Sequence, residues 1–289
     1  MQFKPNGRLA DLHMHSTASD GGYSPEDLMK KCVQAGLEIV SLTDHDTTMG
    51  VKSAKEVAEA NGMQFITGIE LSTRFKNTHV DILGYGIEPS NSILQDTISF
   101  HQHMRVKRME KMIEKCHELG LQIDFQEVKV LAKGDTLSRP HIAQALVNRG
   151  YVSNVKEAFD LYFKEGQPCY VEKEKEMTPQ EAIQLIHQAG GIAIVAHPIL
   201  YTLDDDIYQW LLEEDLDGVE VYHRDHDVEA VERFLTIAKK AERERGRQVY
   251  LTGGSDFHHE SFGRTGESIG TTTLPFEHAE KLLHAVNKI

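Results

Sequence analysis

Two histidines stand two residues apart in Leu9-Ala10-Asp11-Leu12-His13-Met14-His15-Ser16, directly after a short apolar run. In an extended chain alternate side chains share a face, so His13 and His15 point the same way. Two neutral imidazoles on one face of a strand end can grip a single metal ion. The same spacing also suits a strand edge with two solvated histidines, so the pair gains meaning only from its context. That context is repetition, because metal-type polar residues recur where apolar stretches end. Stretch 38–42 leads into Thr43-Asp44-His45-Asp46, and 64–69 leads into Glu70. Stretch 192–196 ends in His197, 218–222 in His223, and 249–252 leads into Gly253-Gly254-Ser255-Asp256-Phe257-His258.

Side chains held this way need strands to place them and helices to cover the strands. Ser24 reads as an N-cap, with Pro25 at the first helical position, Glu26 and Asp27 in the first turn, and Gly36 as the stop. Thr178-Pro179-Gln180-Glu181 reads as a capping box opening another helix. Helices are also expected over 51–61, 227–245 and 276–286, and a fourth strand over 79–86. Alternating strands and helices predict parallel strands joined by crossover helices. About seven polar-ended strands predict a barrel, whose active site gathers at the strands' C-terminal ends. Residues 91–170 break the rhythm and read as helices only. They are expected to form an insertion over one face of the main domain, a substrate lid, leaving 1–90 and 171–289 as the barrel.

The chain has 289 residues, 40% of them hydrophobic, enough for one large α/β barrel. No apolar run reaches the roughly 18 residues that span a membrane, and residues 1–13 lack the apolar core of a signal peptide. Cys32, Cys116 and Cys169 are odd in number and widely spaced, which predicts reduced thiols and a cytoplasmic setting. The net charge of −14 disfavours long duplex nucleic acid, whose binding needs basic neutralisation of phosphates. It leaves room for a small anionic ligand where divalent cations reverse the local field.

Taken together, DLHMHS (11–16), SDG (19–21), TDHD (43–46), GIELS (68–72), HVDILGY (79–85), AHP (196–198) and GSDFH (254–258) resemble the PHP family, named for polymerase and histidinol phosphatase. The seven stretches fall in the family's order and cover most of the chain outside the insertion. The resemblance implies a distorted (β/α)₇ barrel holding a cluster of about three divalent ions. It implies that His13, His15, Glu70 and Asp256 hold one ion, and that Glu70 bridges to a second held by His79 and His197. Asp20, His45 and His258 would hold a third, while Asp44 would orient a ligand or a water. An imidazole–carboxylate set without thiolate suits Mn, Fe or Zn better than Ca or Cu(I).

No cysteine nucleophile or Ser–His–Asp order is evident, so hydrolysis of a phosphate ester by a metal-bound hydroxide is the expected chemistry. Glu70, Asp256 and His223 are taken as the catalytic groups, His223 also as a substrate contact or proton donor. Arg139 and His141 open a helix inside the insertion, where a helix start favours anions. Members of the family that carry such an insertion and act on nucleotides have a similar Arg-x-His, which implies phosphate binding. The expected substrate is a small nucleotide, a 3′,5′-nucleoside bisphosphate or a short RNA 5′ end. The alternatives are a histidinol-phosphate phosphatase and a non-catalytic metal-binding module. The remaining histidines, His187 among them, read as ordinary helix and loop residues.

Overall fold

A computed structural model describes residues 7–132, 138–172, 175–272 and 274–288. Residues 1–6 of the stretch inspected for a leader lie outside them. The chain forms two compact units, Met1–Gln95 with Met177–Ile289, and Asp96–Glu176.

The first unit is built on one sheet of seven strands in sequence order. The strands are β1 (Leu9–Asp11), β2 (Leu37–Leu42), β3 (Gln64–Phe75), β4 (Thr78–Tyr85), β5 (Ile192–Val195), β6 (Gly218–His223) and β7 (Tyr250–Gly254). The sheet curls until its first and last strands nearly meet. The Leu12 amide donates to the Gly253 carbonyl at 3.2 Å, and the His15 amide to Phe257 at 2.8 Å. Around it lie α1 (Pro25–Ala35), α2 (Val51–Ala60), α7 (Pro179–Gln188), α8 (Asp204–Glu213), α9 (Val228–Arg245) and α10 (Phe276–Val286).

Local chemistry sets these boundaries. The Ser24 hydroxyl accepts from the Asp27 amide, and Gly36 ends α1 with φ 76°. The capping box at Thr178 and Glu181 is formed at the start of α7. One face of the sheet gathers Ala10, Leu12, Ile39, Ile66, Leu83, Tyr85 and Ile194 with Leu282 of α10. The alternate residues Val40, Leu42 and Phe65 pack under Leu28, Met29 and Ala54 of α1 and α2. Strands covered on both faces read as nearly continuous apolar runs, as LEIVSL does. Each fully buried Leu or Ile contributes roughly 1.5–3 kcal/mol.

The parallel rule fails at one place. β4 runs antiparallel to both β3 and β5. Lys76 and Asn77, with φ 46° and 66°, make the tight hairpin turn that reverses the chain. β3 therefore continues past Glu70 to Phe75, which puts Glu70 in mid-strand. Conversely, β1 is shorter than expected, although Leu12, His13, Met14 and His15 continue its alternation beyond the ladder. Leu12 and Met14 turn into the core while His13 and His15 turn to the other side.

The second unit takes α3 (Ser92–Glu118) from Asp96 onward, with α4 (Phe125–Ala132), α5 (Arg139–Asn148), α6 (Val155–Ala158) and a π turn at Phe159–Phe163. Met109, Met112, Ile113, Val128, Ile142, Leu146 and Phe163 form its own core.

Candidate metal centre

The ends of five strands and one mid-strand carboxylate converge on a buried polar cluster. His13 Nε2 and His15 Nε2 each lie 3.2 Å from Glu70 Oε2, and His45 Nδ1 lies 3.3 Å from the same oxygen. His197 Nε2 approaches the other oxygen, Oε1, at 3.1 Å. Asp256 Oδ1 lies 3.0 Å from His15 Nε2 and 3.6 Å from His13 Nε2. On the far side, His258 Nε2 lies 3.3 Å from Asp20 Oδ1. Among the described residues, three overlapping groups could each hold an ion: His13, His15 and Glu70; His15, Asp20, His45 and His258; and His45, Glu70 and Asp81.

A layer of fixed partners aims these side chains. Buried Glu220 on β6 lies 3.0 Å from His13 Nδ1 and accepts the His197 amide at 2.7 Å. With a proton on Nδ1 facing Glu220, Nε2 of His13 presents its lone pair to the cluster. The Tyr201 hydroxyl sits 2.8 Å from His197 Nδ1 and accepts the Asp81 amide at 2.9 Å. Asp44 accepts from the Ser16 amide at 2.7 Å and the Ser19 hydroxyl at 2.6 Å, which fastens the loop carrying Asp20. Asp11 takes the Ser255 amide at 3.0 Å and its hydroxyl at 2.6 Å, placing Asp256 next in line. Arg224, almost fully buried, reaches Asp256 Oδ2 at 2.7 Å and the Asp256 carbonyl at 2.6 Å. A side chain at Gly254 would meet the His13 amide nitrogen at 2.5 Å, so only glycine lets β7 come this close.

The backbone is also held away from its preferred conformation here. Asp256 has φ 47° and His197 φ 24°, values that cost non-glycine residues about 1–3 kcal/mol each. Both are strand-end residues of the cluster, so packing elsewhere offsets strain that serves their placement.

The charges are not balanced by the protein's own hydrogen bonds. Both ring nitrogens of His15, Nδ1 of His45 and Nε2 of His223 are buried without a hydrogen-bond partner. His15 Nε2 nevertheless lies only 3.0 Å from the Asp256 carboxylate. Burial opposes an imidazolium at His15, yet the Asp256 and Glu70 carboxylates hold its pKa up to about 10. Burial likewise opposes charge on Glu70, but the surrounding histidines keep it well below the usual carboxylate range. Burial, and then the neighbouring Glu70 charge, lift Asp81 to about 6. The carboxylates thus draw protons onto imidazoles that face them with unused nitrogens. Divalent cations supply the same positive charge and take those lone pairs, so the donor set fits metal ions.

Of the residues singled out from the sequence, the structure brings together His13, His15, Asp20, His45, Glu70, His197, Asp256 and His258. It does not bring His79 there. His79 is exposed near the hairpin, paired across the ladder with Arg74. Asp81, two residues further along β4, stands 3.9 Å from His197 Nε2 in its place. Because β4 is antiparallel, its mouth end is its beginning, and distance from the turn decides which side chain reaches the cluster. His223 is buried with Nε2 3.7 Å from Asp256 Oδ2. Arg139 donates to the Phe163 carbonyl at 3.4 Å and lies over the Phe159 ring at 5.6 Å. His141 Nδ1 accepts the Ser138 amide at 3.2 Å, completing the capping box of α5. Glu220, Asp81, Tyr201 and Arg224 were not anticipated. An acid between two valines in a buried strand is the one signal that could have exposed Glu220.

Comparison with known proteins agrees with this geometry. The PHP domain profile matches residues 11–172, more than half of the chain. A 5′-3′ exoribonuclease of Haemophilus influenzae is 36% identical over 67% of this chain and 70% of its own. A 3′,5′-nucleoside bisphosphate phosphatase of Chromobacterium violaceum is 29% identical over 91% of this chain and 90% of its own. A crystal structure from Bifidobacterium adolescentis, provisionally named a metal-dependent phosphoesterase, superposes with a TM-score of 0.78 at 27% identity, covering 97% of this chain and 96% of that one.

Proposed function

The chain belongs to the PHP domain family and is a metal-dependent phosphoric ester hydrolase, and on that premise we propose that it removes phosphate from small nucleotides, nucleoside 3′,5′-bisphosphates first and RNA 5′ ends second. The observation that carries the reading is the buried set of imidazoles and carboxylates in which ring nitrogens of His15, His45 and His223 have no hydrogen-bond partner. The nucleotide substrate is supported by what the Haemophilus and Chromobacterium relatives are named for.

In this proposal His13, His15, Glu70 and Asp256 hold one ion, and Glu70 is shared with a second held by Asp81 and His197. Asp20, His45 and His258 hold a third. Mn, Fe and Zn suit the donors. Such ions, when bound, polarise a phosphoryl oxygen and lower the pKa of water. The protein's own part is to fix the donors. Glu220 sets the tautomer of His13, Tyr201 orients His197, and Arg224 offsets the charge of Asp256. His223, buried beside Asp256, is assigned to substrate contact or to proton donation to the leaving oxygen. Arg139, in the helical unit, is assigned to a substrate's second phosphate, which a guanidinium can take in a bidentate grip.

A phosphate-release screen in Mn²⁺ tests the reading, with nucleoside bisphosphates, mononucleotides, 5′-phosphorylated RNA and histidinol phosphate as arms. Release from the bisphosphates supports it, and release from histidinol phosphate alone overturns it. Arg139→Ala should lower kcat/KM on bisphosphates by roughly 10- to 100-fold, the scale of a lost charge-assisted hydrogen bond. An aryl phosphate should be hydrolysed nearly as before.

A further inference from the structure

The loop after β7 carries an exposed aromatic ring beside the metal cluster. Phe262 ends a short 3₁₀ turn, Glu260–Phe262, and is 56% exposed. Its ring centre lies 6.2 Å from that of His258, which is one of the candidate ligands. The ring also packs against His259 at 6.4 Å, so its inner edge rests on two histidines of the loop while the rest of it faces solvent.

The loop is tied down at both ends. At its start, Glu260 receives the Tyr23 hydroxyl at 2.8 Å and Lys31 at 2.8 Å. The His259 ring stacks on Tyr23 at 4.9 Å. After the turn, Gly263 adopts φ 67° and reverses the chain. Buried Glu267 then accepts the His258 amide at 3.0 Å and pairs with the Arg264 guanidinium at 2.5 Å. Arg264 in turn lies 5.4 Å from the centre of the Phe262 ring. A flat apolar face and a cation are therefore presented together, by a fixed loop, next to the group that would hold the phosphate.

We infer that Phe262, flanked by Arg264, is a stacking subsite for the nucleobase of a substrate whose phosphate is held at the cluster. This deepens the proposed function and rests on its nucleotide reading. Stacking is indifferent to base identity, since every base offers a π face, so the subsite would favour nucleotides over sugar phosphates without choosing among bases. Arg264 adds a cation–π partner for the sandwiched ring.

The test compares adenosine 3′,5′-bisphosphate with ribose 5-phosphate on the full chain in Mn²⁺. Phe262→Ala should lower kcat/KM on the bisphosphate about 10-fold, mainly through KM, the scale of one lost stacking contact. Ribose 5-phosphate should be turned over as before, and Phe262→Trp should keep nucleotide activity. The new indole also gives a binding readout, because Trp210, the chain's one native tryptophan, is 3% exposed and stays as constant background. Its emission should be quenched by the bisphosphate and not by ribose 5-phosphate. Equal losses on both substrates, or no loss on either, would overturn the subsite and leave the phosphatase reading intact. A wild type that hydrolyses ribose 5-phosphate but no nucleotide would overturn the nucleotide reading. An unquenched indole in Phe262→Trp would overturn the subsite whatever the turnover.

Discussion

The two ends of the barrel carry the same residue types and treat them differently. At the end where β5, β6 and β7 begin, His187 Nε2 meets Asp217 Oδ2 at 2.6 Å, and that oxygen also accepts the Ala193 amide at 2.9 Å. Arg245 spends its donors on the carbonyls of Leu211, Leu216, Asp217 and Gln248. Each of these polar groups has a protein partner. At the opposite end, four histidines surround one Glu70 carboxylate, and several of their nitrogens have nothing to bond. Polar groups that are satisfied hold a fold together. Buried polar groups left over are waiting for something the chain does not contain.

The largest effect should come from the centre of the unsatisfied end. Glu70→Ala removes the carboxylate shared by His13, His15, His45 and His197. Phosphate release should fall to background and metal should be lost, while circular dichroism stays that of a folded barrel. An active Glu70→Ala protein would break the comparison.

A smaller effect should follow from the supporting layer. Glu220→Gln keeps an acceptor for the His197 amide but loses the charge that faces His13 Nδ1. Burial alone would raise the Glu220 pKa, yet His13 outweighs it and brings the carboxyl down to about 2. Losing that anion should weaken Mn²⁺ affinity or activity by about 10- to 100-fold. A titration of activity against Mn²⁺ measures it, and an unchanged midpoint would demote Glu220 to packing.

The smallest effect belongs to the satisfied end. His187→Ala should leave turnover unchanged and cost about 1 kcal/mol of stability, the scale of a charge-assisted hydrogen bond reduced for partial exposure. The hydrogen bond to Asp217 raises the His187 pKa above its ordinary 6.5. A raised histidine stabilises fully below its unfolded pKa and loses that contribution as pH rises through the folded one. Urea midpoints of wild type and His187→Ala should therefore differ most below pH 6.5 and converge above the raised value. A gap that widens with pH would reverse the assignment.

These ends were unequally legible in the sequence. His13 and His15 were readable because alternation in an extended chain is local, and it survived even where the ladder stopped at Asp11. His45, His197, Asp256 and His258 were readable because parallel strands all end at one mouth. The exception was β4. Nothing in Lys76-Asn77 announces a tight turn as Asn-Gly would, so its reversal was hidden, and with it the exchange of His79 for Asp81. Glu220 and Tyr201 act across the barrel from residues far away in the chain, and such pairings leave no spacing to read. At the satisfied end, the sequence marks His187 as an ordinary helix residue, and the structure adds its pairing with Asp217, a partner 30 positions away that no local spacing announces.

The most direct test of the central claim is metal content, measured by elemental analysis of purified wild type, Glu70→Ala and His187→Ala after identical loading with Mn²⁺ and desalting. Wild type and His187→Ala should retain the same several equivalents, and Glu70→Ala should retain almost none. Equal metal in all three proteins would contradict the account, because the unsatisfied end would then not be where the ions are held.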